Sequence, residues 1–267
     1  MFRSVIRTVK LAALLLFGAL ALLIQNPRTR AARAEWLHRF AAKLLRRLGI
    51  AFRQHGTYPT CGVIISNHMG YLDIMTFAAL ARCVFVSKSE IASWPLIGWM
   101  TTMSGTVYVQ RGRGGSAERA RADLESVSAE NVPIVFFPEG TSTDGSSVLP
   151  FRTGLLYDCI EAGQPITAAH IRYRLTEPNP PNAASHLPYW DDTPITTHAF
   201  RLLALRGIEV EIAFADAPIA FSPAALADRH VAAVEARTAV LALTQYSDAG
   251  SHPDSQQPPA SAQPQSS

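Results

Sequence analysis

The 267-residue chain is short of charge: Asp, Glu, Lys and Arg together make up 17% of it. A soluble domain carries nearer a quarter, so the deficit points to a membrane or a large buried interior. Cysteine is scarce as well, with only Cys61, Cys83 and Cys159. Their odd number and scatter, without Cys-x-x-Cys or Cys/His metal spacing, speak against a disulfide framework or a zinc site. They read as reduced core residues. No Gly-x-Ser-x-Gly is present, so the nucleophile elbow of a Ser-His-Asp lipid hydrolase or thioesterase is missing. The glycine loop at residues 112–115 lacks a third glycine at dinucleotide spacing and no Gly-Lys-Ser/Thr occurs, so there is no nucleotide fingerprint. No internal repeat is visible. Acid is almost absent from residues 1–56, where Glu35 stands against eleven Lys and Arg. The overall charge of +3 therefore hides a net −7 in the remainder, which holds 13 basic and 20 acidic residues. The basic character belongs to an N-terminal arm. Such an arm suits nucleic acid or anionic lipid, and its apolar neighbours decide for a membrane surface rather than nucleic acid.

Apolar residues supply 48% of the chain, ample for a core. Residues 11–24 form an uninterrupted apolar run of 14, flanked by Arg3, Arg7 and Lys10. As a helix this run covers about 21 Å, short of a hydrocarbon core of about 30 Å. Adding Val5 and Ile6, with Arg7 and Lys10 snorkelling, brings it close to a span. A signal peptide is the competing reading. The dense basic segment that follows, where a mature secreted domain would begin, argues against it. That segment, residues 28–48, is amphipathic: Leu37, Phe40, Ala41, Leu44 and Leu48 share a helical face, and Arg39, Lys43, Arg46 and Arg47 face away. It predicts a helix lying in an anionic membrane surface, or one docked on the domain.

Beyond the arm, apolar runs end in polar groups. Residues 63–66 (Val-Ile-Ile-Ser) predict a buried strand, followed by Asn67-His68 and a helix over 72–81 headed by Asp73. A strand and turn are predicted at 51–60, and further strands at 83–87, 106–109, 132–137, 166–173 and 208–214. Helices are predicted at 94–103, 116–130, 155–162, 197–205 and 224–245, with a Pro-rich loop over 174–196. The alternation predicts an α/β fold with a mixed, mostly parallel sheet flanked by helices. Three units are expected: a membrane-anchoring arm at 1–49, an α/β domain at 50–245 and a disordered tail at 246–267, rich in Ser, Gln, Pro and Ala.

His68 and Asp73 form a His-x4-Asp pair, in which the carboxylate can fix the imidazole tautomer and make a general base without metal or cofactor. The spacing alone is cheap. With eight His and ten Asp in the chain, chance supplies roughly 0.3 such pairs. A second pair, His186 and Asp191, lies in the Pro-rich loop with no strand before it and reads as a decoy. What separates the two is the strand before His68 and the polar groups at other strand ends: Arg111 after 106–109, and Glu139-Gly140-Thr141 after 132–137. If the strands are parallel, these ends share one edge of the sheet and form a crevice. It would hold a base, a forked cation and an anion-binding turn.

Four blocks then occur in order: Asn67-His68-x4-Asp73, Gly105-Thr-Val-Tyr-Val-Gln-Arg111, Phe137-Pro-Glu-Gly-Thr141 and Gln164-Pro-Ile166. In these the chain resembles the glycerolipid acyltransferases of the lysophosphatidic acid acyltransferase type. The resemblance covers residues 67–166 and extends from about 50 to 215. It implies transfer of a fatty acyl group from acyl-CoA or acyl-carrier protein to a lysophospholipid hydroxyl, lysophosphatidate to phosphatidate, in phospholipid biosynthesis. By position, His68 is the base and Asp73 orients it. Asn67, Arg111, Glu139, Gly140 and Thr141 bind the acceptor. No metal or cofactor is implied, since a thioester is already activated. The expected place is the cytoplasmic (inner) membrane, with the catalytic domain on its cytoplasmic face. Two positions depart from the family pattern. Gly70 stands where the family usually has Ser. Ser142 stands where many phosphatidate-making members have Arg, with Arg152 as the candidate replacement. The second departure leaves room for another acceptor, such as a lyso-ornithine lipid. A hydrolase or thioesterase and a non-catalytic membrane-binding protein are the remaining alternatives.

Overall fold

The computed structural model describes residues 2–93, 97–109, 126 and 130–245. Arg111, most of the helix expected over 116–130, and the tail lie outside the described residues.

Two helices open the chain. Helix α1 (Phe2–Gln25) begins nine residues before the apolar stretch and ends one residue after it, and its 24 residues give a rod of about 36 Å. Residues 3–25, with a mean hydropathy of 2.0, are long and apolar enough to cross a membrane by length and composition. Helix α2 (Arg30–Leu48) starts at Thr29, whose side chain accepts from Ala32 N, and stops at Gly49 in the left-handed region, φ 66°. Both are sequence-encoded ends. The expected apolar face of α2 is real but faces protein. Leu37, Ala41, Leu44 and Leu48 are buried, joined by Ala34, Trp36 and Leu45. Helix α2 packs on α3 (Tyr71–Leu80), and His38 Nδ1 lies 2.8 Å from Ala78 O. Arg39, Lys43, Arg46 and Arg47 stay at the surface. Helix α1 packs antiparallel to α2, where a Cβ on Gly18 would sit 2.4 Å from the Phe40 ring. Arg7 Nη1 donates to Leu205 O at 2.9 Å. Residues 2–49 are thus docked on the domain, and the apolar face of α2 is not available to lipid.

The strands are β1 (Ala51–His55), β2 (Val63–Ser66), β3 (Val84–Lys88), β4 (Val107–Val109), β5 (Ile134–Phe136), β6 (Ile166–Leu175) and β7 (Ile208–Phe214). They form one sheet in the order β1-β7-β6-β2-β5-β3-β4. Strands β6, β2, β5, β3 and β4 are mutually parallel. Strand β7 is antiparallel to β6, and β1 is parallel to β7. The expectation of a mixed, mostly parallel sheet holds. Every residue of β2 is buried, because helices cover both faces of a parallel sheet. Ile64, Val135, Phe85 and Ala169 pack on the side of α1, α2 and α3. Val63, Ile65, Ile134 and Ala168 pack on the other side, against α5 (Gly154–Glu161) and α8 (Arg229–Ala242).

The remaining helices are α4 (Ile97–Met103), α6 (Ile195–Leu202) and α7 (Pro223–Ala227). One helix was expected over 224–245. Instead Asp228 takes an extended conformation between α7 and α8. Its carboxylate accepts from His230 N at 2.7 Å and caps the second helix, a local bond that competes with helix continuation. Of the cysteines, Cys83 and Cys159 are core residues as expected, whereas Cys61 is exposed.

Candidate active site

Strand β2 ends at Ser66, and the next residues turn out over the carboxyl edge of the five parallel strands. Asn67 lengthens the β2–β6 pairing by a side chain: its carboxamide donates to Ile171 O at 3.0 Å and accepts from Ile171 N at 2.8 Å. That bond pair ties the turn to β6. Asn67 is buried, so this is an architectural bond, and its expected acceptor-binding role finds no open surface.

His68 follows. Its Nδ1 lies 2.8 Å from Asp73 Oδ2. Asp73 stands in the first turn of α3 and is fully buried. The same Oδ2 accepts from Met69 N at 2.6 Å and Gly70 N at 3.0 Å. The other oxygen accepts the hydroxyl of Tyr173 on β6. One carboxylate therefore stops the turn, starts the helix and orients the imidazole. A buried acceptor-only group facing Nδ1 requires that nitrogen to carry the proton, so Nε2 holds the lone pair. The ring stacks on Phe137, with centroids 4.1 Å apart and planes 11° apart, and its side chain keeps 19% exposure.

Glu139 acts from behind this turn. It is buried; Oε1 accepts from His68 N at 2.8 Å and Oε2 from Leu149 N at 2.7 Å. Burial raises its pKa above the usual carboxylate value, and the two main-chain N–H groups partly offset that. The expected headgroup contact is thus replaced by a bracing one: both oxygens are spent on main chain. Gly140 has φ 70°, the left-handed conformation its turn needs. Thr141 is exposed and Ser142 half-buried. Thr143 donates to His68 O from its main-chain N at 2.9 Å and its hydroxyl at 3.3 Å. Arg152 is exposed. The expected meeting of strand ends holds for the β2 and β5 blocks; Arg111 follows β4 outside the described residues.

Gly70 has a structural explanation. Its φ is +144°, and an added Cβ would meet Tyr189 Cβ at 2.9 Å and Tyr189 N at 3.1 Å. Tyr189 N donates to Met69 O at 2.7 Å. The loop carrying the decoy pair therefore lies directly over the His68–Asp73 turn, and glycine makes room for it. The pair itself does not form. His186 ends a 3-10 turn, and exposed Asp191 accepts from Thr193 N at 3.1 Å. His198 secures the loop: Nε2 donates to Pro188 O at 2.8 Å, and Nδ1 accepts from Tyr71 Oη at 2.9 Å. Burial lowers the His198 pKa and raises that of Tyr71, which keeps this donor–acceptor order. Sequence reasoning missed Tyr173, Tyr189 and His198. Only the adjacency of β6 to β2 and the fold-back of the 186–191 loop bring them in. Among the described residues, no group of three or more His, Cys, Asp or Glu could hold a metal ion.

A histidine whose Nδ1 faces a buried carboxylate, at the carboxyl edge of a mixed sheet, is an arrangement that can take a proton from a hydroxyl. Residues 50–172 match the family model named Acyltransferase. The chain is similar to lyso-ornithine lipid O-acyltransferase of Rhodobacter capsulatus, 38% identical over 151 residues that cover 54% of this chain and 52% of that protein. The protein of the same name from Pseudomonas aeruginosa is 32% identical over 169 residues, 63% of this chain and 62% of that protein. A 1-acyl-sn-glycerol-3-phosphate acyltransferase of Neisseria gonorrhoeae is 26% identical over 157 residues, 59% of this chain and 60% of that protein. The chain thus aligns with about half to three fifths of the length of these curated relatives. The fold is shared with the crystal structure of the 1-acyl-sn-glycerophosphate (LPA) acyltransferase PlsC from Thermotoga maritima. That match has a TM-score of 0.55 at 18% identity, covering 89% of this chain and 98% of that one.

Proposed function

We propose that the protein is a membrane-associated O-acyltransferase that moves a fatty acyl group from an acyl thioester, acyl-CoA or acyl-carrier protein, to the hydroxyl of a lysolipid. His68 Nε2 takes the hydroxyl proton as the oxygen attacks the thioester carbonyl. Asp73 holds the tautomer and balances the imidazolium. The tetrahedral intermediate then collapses and expels the thiolate, which recovers the proton from His68. The observation that carries this reading is the His68–Asp73 bond of 2.8 Å on a fully buried carboxylate. Positioning plus a base suffices for an activated thioester.

A lyso-ornithine lipid is the preferred acceptor. The relatives of that name in Rhodobacter and Pseudomonas are more similar to the chain than the 1-acyl-sn-glycerol-3-phosphate acyltransferase of Neisseria, and Ser142 stands in place of a phosphate-pairing Arg. Lysophosphatidate is the second reading, favoured by the Phe137-Pro-Glu-Gly-Thr141 block and by Arg111. The apolar residues Val9, Leu16, Phe17, Leu20, Leu23 and Ile24 on the open side of α1 support attachment to a membrane. The basic side chains of α1 and α2 favour an anionic cytoplasmic leaflet.

The test is purified protein with labelled acyl-CoA or acyl-carrier protein and a panel of lyso-acceptors, read by mass spectrometry. Acylated lyso-ornithine lipid is the expected product. Free fatty acid without acceptor acylation would point to a hydrolase and sink the proposal.

A further inference from the structure

We propose that Tyr173 is a positioning residue of the reaction: its hydroxyl, by occupying the second oxygen of Asp73, sets how much of that carboxylate's charge reaches the His68 imidazole. The inference rests on His68 acting as the base.

Strand β6 delivers this hydroxyl. The Asn67 carboxamide locks β6 to the catalytic turn through Ile171, and Tyr173 comes two residues later, on the same face of the strand as Ile171. Its hydroxyl donates to Asp73 Oδ1. On Oδ2 the donors are His68 Nδ1, Met69 N and Gly70 N. Two of these are main-chain groups held by the turn, so their strength is set by the backbone. The Tyr173 hydroxyl is the donor on this carboxylate that a side-chain change can remove while leaving the turn in place. Burial, reinforced by the Asp73 charge, holds the Tyr173 pKa well above the phenol range, so it remains a donor throughout the working range.

The direction of the effect follows from the geometry. A donor on a carboxylate draws charge away from its other partners. The Tyr173 bond therefore weakens the pull of Asp73 on a protonated His68 and keeps more of the ring in the neutral, proton-accepting form. Among the described residues, the other charged or titratable groups facing the pair are Glu139, bonded to His68 N, and Tyr71 in the first turn of α3. Neither takes up the second Asp73 oxygen.

Tyr173→Phe removes the donor and keeps the ring. The acidic limb of the kcat/KM profile is expected to move to higher pH by about 0.5–1 unit, an activity loss of about 3–10-fold on that limb with little change on the alkaline plateau. Replacing Tyr173 by 3-fluorotyrosine, a stronger donor, is expected to move the limb the other way. This second variant serves if the phenylalanine protein fails to fold. Nitrogen-15 NMR of labelled histidine, with His68→Gln to identify the resonance, reads the same displacement without substrate. It therefore separates this inference from the proposed reaction: acyl transfer retained in His68→Ala would remove the base assignment whatever Tyr173 does. A uniform loss at every pH, with an unmoved limb and an unmoved His68 titration, would mean that Tyr173 is only structural and would overturn the inference.

Discussion

Asp73 offers the sharpest perturbation, because one buried carboxylate performs two separable jobs. Oδ2 satisfies Met69 N and Gly70 N as well as His68 Nδ1. In Asp73→Ala the two main-chain donors lose their acceptor in a fully buried place. A buried unsatisfied donor costs about 1–3 kcal/mol, so the pair costs about 2–6 kcal/mol. That is a large part of a typical domain stability of about 5–15 kcal/mol. Asp73→Asn is different. Its amide oxygen can occupy the Oδ2 position and keep all three donors. Its NH2 then faces the Tyr173 oxygen, which can rotate its hydrogen away and accept. Stability should fall by no more than about 1–2 kcal/mol, while the negative charge opposite the imidazolium is gone. Acyl transfer should then drop by on the order of 10²–10⁴. Chemical denaturation of both variants, alongside kcat/KM for the lysolipid acceptor, measures the two jobs independently. An Asn variant retaining more than a tenth of the activity would refute the charge-balancing role. An Ala variant as stable as the parent would refute the assignment of Asp73 as keystone of the turn.

Gly70→Ser, which introduces the residue usual at this place in the acyltransferases that the sequence blocks resemble, should destabilise the protein. Strain at φ +144° costs about 1–3 kcal/mol, lowering Tm by at least about 2–4 °C; Tyr189→Gly should relieve the clash in part and Tyr189→Ala, which keeps the Cβ, should not. Glu139→Gln keeps one acceptor and turns an NH2 towards the other main-chain donor, so stability should fall by about 1–3 kcal/mol. Its kinetic loss should appear in kcat; a rise in KM alone would restore Glu139 as a headgroup contact. His170 is buried with no partner found for Nδ1, and its pKa is lowered to about 4. A depressed folded value means that the unfolded chain binds the proton first, so stability is full above about pH 6.5 and falls as the pH drops towards 4. At pH 5 the loss from this ring should be about 2 kcal/mol, measured by urea unfolding at pH 7.5 and 5; His170→Gln should flatten the difference. His186→Ala should leave acyl transfer within about twofold, since surface changes outside special features are near neutral; a loss as large as that of His68→Ala would reverse the choice between the two His–Asp pairs.

Much of the site was legible from local pattern. A β-branched run before Asn67-His68, and turn residues before Asp73, place a base at a strand end through short-range geometry alone. The amphipathic face of α2 was equally legible, because its period is a property of the helix. What covers that face was not. The same stripe of Leu37, Ala41, Leu44 and Leu48 suits lipid or protein, and only the packing against α3 and α1 chose protein. Asn67 and Glu139 show the same limit. Their positions in the blocks implied contacts to substrate, yet burial turns Asn67 onto β6 and Glu139 onto two main-chain amides.

The sequence by itself determined the order of the blocks, the His68–Asp73 pairing, the α/β class and an apolar first helix, because each depends on residues close together in the chain. The tertiary structure alone decided that β6 lies beside β2, bringing Tyr173 a hundred residues along the chain to Asp73, and that Tyr189 folds back over Gly70. Those contacts depend on strand order and loop closure, which spacing along the chain does not encode. The reason is physical: a buried carboxylate must satisfy all of its acceptor sites, and which distant donors reach it is settled only when the sheet is assembled.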